Sequence, residues 1–250
     1  VDIRAGTERL LQWELNSGAY VLVTERAPLG FTPVLGSAEL MVSGVFEVVR
    51  GAPYEAKYTD LADALNQMKL FLGTNTGYEL DRVPCRDEGL VMMLRLLGLE
   101  QQAKEASEVS HPFTDVRAWA DPYIAYAYAN QLTNGTSATE FSSTMLLAPE
   151  QYMTFLLRAL GYTDSGSTPD FDYRDALNAA VRFGVISQSE ADMLGSTPLY
   201  RDKMVYISYY GLFAKLKGTD TTLLEDLIRR GAVDRSTADA AIAAVTRTRP

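Results

Sequence analysis

Apolar positions recur at helical spacing over most of the chain and lose that spacing near its start. From about Tyr58 onward they fall three and four apart. Leu90, Leu94 and Leu97 share one helical face, as do Ile124, Tyr128 and Leu132. The spacing predicts amphipathic helices. Pro84 and Pro149 stand near two helix starts, and Gly98 and Gly161 near the matching ends. Gly73 and Gly135 read as further helix C-caps, and Asp115 and Asp121 as N-caps. Before Tyr58 the pattern changes. AYVLVTE (19–25) and ELMVSGVFEVV (39–49) are Val-rich and partly alternate, which predicts strands, with Pro28, Gly30, Pro33 and Gly36 punctuating the space between them. A short helix is expected around Glu8–Leu15. The expected organisation is a small β-containing segment over 1–57 and a mainly α body over 58–250.

The helical body repeats itself. In Leu61–Gly98 a helix, a polar loop and a second helix follow in order. The same order returns from Phe113 to Gly161, with nearly equal glycine spacing, and LLRALG (156–161) echoes MLRLLG (93–98). A third copy runs from Asp170 to Leu216. There Tyr200-Arg201-Asp202-Lys203 aligns with Cys85-Arg86-Asp87-Glu88, and Ala148-Pro149-Glu150-Gln151 holds that place in the second copy. The copies are expected at about 58–105, 110–164 and 170–218, with a helical tail over 219–250. One such hairpin cannot bury its apolar stripe alone, whereas three can close a shared core.

Composition narrows the function. With 250 residues, 47% apolar and 22% charged, the chain can bury a sizeable core. The net charge of −9 carries no basic cluster, which argues against nucleic acid as a partner. A single cysteine, Cys85, and a single histidine, His111, cannot build a zinc site or a disulfide framework. No G-x-S-x-G, P-loop or G-x-G-x-x-G occurs, no cofactor is expected, and no spacing singles out a catalytic pair of carboxylates. No apolar run is long enough for a membrane span. Nothing at the N-terminus reads as a signal peptide, and Val1 is no initiator, so a processed or trimmed fragment is expected.

Several short motifs resemble the S-layer homology family. They are Phe113-Thr-Asp115-Val116, Trp119-Ala120 and Leu132-Thr-Asn-Gly135 in the second copy. The first copy adds LFLGTNTGYELDRVPCRDE, with Cys85-Arg86-Asp87-Glu88 in the place of the family's T-R-A-E motif. The third adds Phe171-Asp-Tyr173 and Tyr200-Arg201-Asp202-Lys203. The resemblance covers about Tyr58 to Leu216 and leaves 1–57 unexplained. It implies a pseudo-threefold spindle of helical prongs with clefts between them. It also implies non-covalent anchoring, at the bacterial cell surface, to an anionic, often pyruvylated, secondary cell-wall polysaccharide, with no catalysis. A carboxylate would meet free N–H groups at a helix N-terminus and the fork of an arginine in its first turn, while an aromatic wall packs on the sugar face. The residues carried over as ligand-binding are Arg86, Arg201, Trp119, Asp115, Gly73, Gly135, Glu88 and Asp202. Pro149 departs from the pattern, since it offers neither charge nor N–H. The alternative is a degenerate fold of this kind whose grooves hold another surface protein. A carbohydrate-active enzyme ranks behind both.

Overall fold

A computed structural model describes the backbone of 2–5, 8–14, 20–24 and 46–49, and residues 54–249 other than 107 and 197. The chain divides into two compact units, residues 1–55 and 56–250. In the first, β1 (Asp2–Ala5), β2 (Glu8–Glu14), β3 (Tyr20–Thr24) and β4 (Phe46–Val49) form an antiparallel sheet in the order β3-β2-β1-β4. The helix expected around Glu8–Leu15 is therefore strand β2. Its Leu10 pairs with Ile3 on one side and Thr24 on the other. A ladder on both edges supplies the backbone partners a helix would have supplied, and outweighs the helix preference of Glu, Arg and Leu. Residues 39–45 of the predicted second strand lie outside the described residues.

The second unit is mainly helical. Its elements are α1 (Thr59–Gln67), α2 (Arg86–Leu96), α3 (Glu100–Glu105), α4 (Asp121–Ala129), α5 (Pro149–Ala159), a 3-10 turn (Tyr173–Asp175), α6 (Ala176–Arg182), α7 (Gln188–Gly195), α8 (Arg201–Gly211), α9 (Leu223–Arg229) and α10 (Arg235–Ala244). No helix among the described residues is long and apolar enough to cross a membrane.

Helices α2, α5 and α8 pack against one another at the centre of this unit. Every residue of α8 is buried, polar ones included, so it is enclosed all round. Tyr152 on α5 and Ser208 on α8 share a buried hydrogen bond of 2.7 Å. At Gly211 a Cβ would stand 2.9 Å from a Leu156 methyl, so a side chain there would force α8 away from α5. Around this trio, α1 lies on α8 and α10, α4 on α2 and α3, and α6 on α5 and α7.

Gly98 and Gly161 stop α2 and α5 in left-handed conformation, as their spacing predicts. Gly73 and Gly135 are not C-caps. Helix α1 already ends at Gln67 and α4 at Ala129, and the left-handed turns that follow fall on Lys69 and Gln131. Asn66 compensates by donating its side-chain amide to the Phe71 carbonyl. Asp115 and Asp121 also differ from expectation. Asp115 accepts the loop N–H groups of Phe141 and Ser142, while Asp121 is the first helical residue of α4. The polar loop expected after α6 carries α7, started by Ser187, whose hydroxyl accepts the Glu190 N–H while the Glu190 carboxylate accepts the Ser187 N–H.

The C-terminal residues strap this unit together. Arg247 binds Asp60 through Nε at 2.8 Å and lies over the Tyr58 ring. Arg249 donates to the buried Glu190 at 2.7 Å and to the Val185 carbonyl at 2.6 Å, and lies over Tyr210. Glu190 also accepts the Tyr206 hydroxyl at 2.6 Å. Burial pulls the Glu190 carboxyl upward, but hydrogen bonds from Arg249, Tyr206 and the Ser187 backbone outweigh it and hold it below its ordinary value. A depressed carboxylate stabilises the fold above its unfolded pKa, near 4.3, and that stabilisation is lost as pH falls through the folded value. The Glu190→Gln variant is expected to be less stable than wild type by about 2 kcal/mol at pH 7 in urea unfolding. The gap should close as the pH falls below about 4. A gap unchanged from pH 7 to pH 3 would contradict this role.

Candidate functional site

Among the described residues of the second unit, two grooves stand out. The first is lined by the turn Leu72-Gly73-Thr74, by Glu88, Val91, Met92 and Arg95 of α2, by Arg82 and Phe71, and by Trp119 and Arg201. The second is lined by Asn134-Gly135-Thr136 and Ser137, by Gln151, Thr154, Phe155 and Arg158 of α5, and by Asp164, Tyr173 and Arg86. The second holds about 310 Å³ and the first about 150 Å³.

The grooves follow one plan. Glu88, Val91, Met92 and Arg95 occupy the places on α2 that Gln151, Thr154, Phe155 and Arg158 occupy on α5, at one constant offset. Glu88 and Gln151 are both third residues of their helices, and each accepts the N–H of the residue before the helix, from Cys85 at 2.7 Å and Ala148 at 3.1 Å. Arg95 pairs with Glu100 and Arg158 with Asp164. Each groove then receives one arginine that opens another helix: Arg201 from α8 in the first, Arg86 from α2 in the second. Each also has one exposed aromatic wall: Trp119, 47% exposed, and Tyr173, 48% exposed.

The delivery of these arginines has a backbone cause. The first N–H groups of α2 are bound by the loop that precedes α5: Arg86 N–H donates to Met145 at 2.9 Å and Asp87 N–H to Ser143 at 3.3 Å. Those of α8 are bound by the loop that precedes α2: Arg201 N–H donates to Arg82 at 2.8 Å and Asp202 N–H to Leu80 at 3.0 Å. The free helix-terminal N–H groups expected for a carboxylate are thus already occupied, because a neighbouring loop docks on them. The guanidinium groups are the charged donors that these two helix starts offer to the grooves.

Arg86 is 5% exposed and sits between the Phe141 and Phe155 rings, 5.0 and 5.1 Å from their centroids. Its Nε has no hydrogen-bond partner, and none of the described carboxylates forms an ion pair with it. Burial and the nearby Arg158 push its pKa down to about 10, against the weaker pull of Asp115. It still carries its charge at neutral pH. Arg201 is 7% exposed, lies 5.2 Å from the Phe71 centroid and donates Nε to the Tyr78 carbonyl at 2.9 Å. Burial and then Arg82 lower its pKa, while Glu88 and Glu79 act the other way.

Among the residues the sequence singled out, Gly73, Glu88, Trp119 and Arg201 meet in the first groove, and Arg86 and Gly135 in the second. Asp115 and Asp202 line neither. Asp202 is buried and accepts the N–H groups of Lys57 and Tyr58 at 3.1 and 2.9 Å. Gly73 and Gly135 serve close approach. A Cβ at Gly73 would stand 2.7 Å from the Gly77 carbonyl oxygen, and one at Gly135 2.3 Å from the Phe113 ring. Sequence reasoning missed Arg82, Gln151, Arg158 and Tyr173. Arg158 was within reach, since MLRLLG and LLRALG place Arg95 and Arg158 at matching positions. Cys85 is buried, and burial raises its thiol pKa. His111 accepts the Phe113 N–H through Nδ1 and meets Asp121 through Nε2. Both roles are structural.

Asp87 fixes the Trp119 wall. Its buried carboxylate accepts Arg117 Nε at 2.6 Å and the Ser143 hydroxyl at 2.7 Å, and the Arg117 guanidinium lies 5.3 Å from the Trp119 ring centroid. The Asp87→Ala variant is expected to lose about 2–3 kcal/mol, below the full figure for a buried pair because Arg117 is partly solvated. In a Trp13→Phe background, where Trp119 is the sole tryptophan, its fluorescence should also become easier to quench with acrylamide. Unchanged quenching and stability would contradict this support.

The family model of the S-layer homology domain matches residues 112–142. An endoglucanase of Bacillus sp. (strain KSM-635) is 33% identical over 95 residues, a stretch covering 37% of this chain and 10% of that protein. The chain thus matches only about a tenth of that relative's length. The matched family is one of binding modules rather than catalysts. Through residues 112–142, which hold Trp119 and the Gly135 turn, the chain is similar to the S-layer homology domain, a domain that anchors surface proteins to the cell wall.

Proposed function

We propose that this chain anchors a bacterial surface protein non-covalently by holding an anionic, pyruvylated secondary cell-wall polysaccharide in its two grooves. The observation that carries the reading is the shared plan of the grooves. Each joins a buried arginine, a tight glycine turn and an exposed aromatic ring. A sugar offers an apolar C–H face for the ring, and a pyruvyl ketal offers a carboxylate for the guanidinium. Three related helix–loop–helix units, at about 58–105, 110–164 and 170–218, account for the plan, with α2, α5 and α8 as their second helices. The mutual packing of these helices supports that division. The helix start of the middle unit carries Pro149 where the others carry Arg86 and Arg201, so it offers no guanidinium to a groove.

The test is calorimetric binding to purified pyruvylated wall polymer. The double variant Arg86→Ala/Arg201→Ala is expected to bind at least about 100-fold more weakly than wild type, since each lost charge-assisted bond weakens binding about tenfold or more. Equal binding by the two proteins would reject the grooves as the site.

A further inference from the structure

We propose that the two grooves divide the ligand between them: the Arg86 groove reads the carboxylate, and the Arg201 groove holds an uncharged sugar face. The division rests on the glycan reading above and goes beyond it, because that reading treats the grooves alike. Three matched positions and the aromatic wall separate them. The Arg201 groove has Glu88 where the Arg86 groove has Gln151, Leu72 where it has Asn134 and Val91 where it has Thr154, and its wall is Trp119 rather than Tyr173.

These changes act in one direction. In the Arg201 groove the Glu88 carboxylate takes two bonds from Arg82, at 2.8 and 3.0 Å, and stays in the lining. Arg82, Arg86-like in charge but not in freedom, is also tied to Glu79 at 3.1 Å. An entering carboxylate therefore meets a fixed negative charge beside Arg82 and Arg95, which already hold carboxylates, and Arg201, whose Nε holds the Tyr78 carbonyl. Phe71, Leu72, Val91 and Met92 add apolar surface, and the groove ends on the larger indole ring, which suits the C–H face of a neutral sugar. In the Arg86 groove the acid is replaced by an amide. Asn134, Thr136 and Thr154 supply neutral polar groups, and Arg158 spends its fork on Asp164 and the Leu132 carbonyl. That leaves the Arg86 guanidinium, nine-tenths buried, held by two phenyl rings and with an unpartnered Nε, as the uncompensated charge of the groove. A buried charge of that kind is stabilised by an anion that enters with it.

The experiment compares binding of two probes: purified wall polymer carrying its pyruvyl groups, and the same polymer stripped of them by mild acid. Wild type is expected to prefer the pyruvylated form by about tenfold or more, the worth of one charge-assisted pair. Arg86→Gln should erase the preference, with its folding checked by circular dichroism. Gln151→Glu, which leaves Arg86 in place and gives its groove the acid of the other, should erase the preference too, and carries the test if Arg86→Gln does not fold. Arg201→Gln should weaken both forms by a similar factor and keep the preference. A preference lost in Arg201→Gln and kept in Arg86→Gln and Gln151→Glu would overturn the division. Equal binding of both polymers by wild type would overturn it while leaving glycan binding intact. Binding of neither polymer would reject the glycan reading itself, and the division with it.

Discussion

A guanidinium buried without a counter-charge is the constraint on which the rest of this structure turns. Arg86 opens α2, yet it sits 5% exposed between two phenyl rings with Nε unpartnered. Taking a cation out of water costs several kcal/mol unless something offsets it. At three other arginines of this unit a carboxylate offsets that cost: Arg158 has Asp164, Arg117 has Asp87, and Arg249 has Glu190. At Arg86 it supplies aromatic faces and a distant Asp115, and leaves the donors facing a groove. Stability alone does not favour that arrangement, whereas an anionic ligand does.

The geometry follows from the central helices. Helices α2, α5 and α8 pack on one another, and the starts of α2 and α8 lie against loops from elsewhere in the chain. Backbone bonds from Arg86 and Asp87 to Met145 and Ser143 send the Arg86 side chain toward the Gly135 turn and α5. The corresponding bonds from Arg201 and Asp202 to Arg82 and Leu80 send Arg201 toward the Gly73 turn and α2. The next residue along each helix then anchors another strand of chain. Asp87 holds Arg117 beneath Trp119, and Asp202 holds the backbone of Lys57 and Tyr58. One helical turn thus furnishes an arginine to one groove and, in α2, the support for an aromatic wall in the other.

Much of this was legible in the sequence, and the parts that were not share a cause. Helical periodicity, the glycine stops at Gly98 and Gly161, and the matched placing of Arg86 and Arg201 are local signals, and the structure contains them. Glu8–Leu15 was misjudged because its strand state depends on partners at Ile3 and Thr24 that composition does not reveal. Gly73 and Gly135 were assigned to helix ends because a glycine after an apolar run resembles a cap. The close approach of Gly77 and Phe113 that requires them is a tertiary fact. The free N–H groups expected at the helix starts are absent for the same reason, since a loop far along the chain occupies them. Gln151 escaped notice because a neutral residue gains meaning only beside its counterpart Glu88.

The most direct test is a crystal structure of the chain with a pyruvylated disaccharide fragment of the wall polymer. The account predicts the ketal carboxylate within hydrogen-bond reach of the Arg86 guanidinium, in the groove bounded by Gly135 and Tyr173. A carboxylate seated instead against Arg201 and Glu88, with the Arg86 groove holding no ligand, would contradict it.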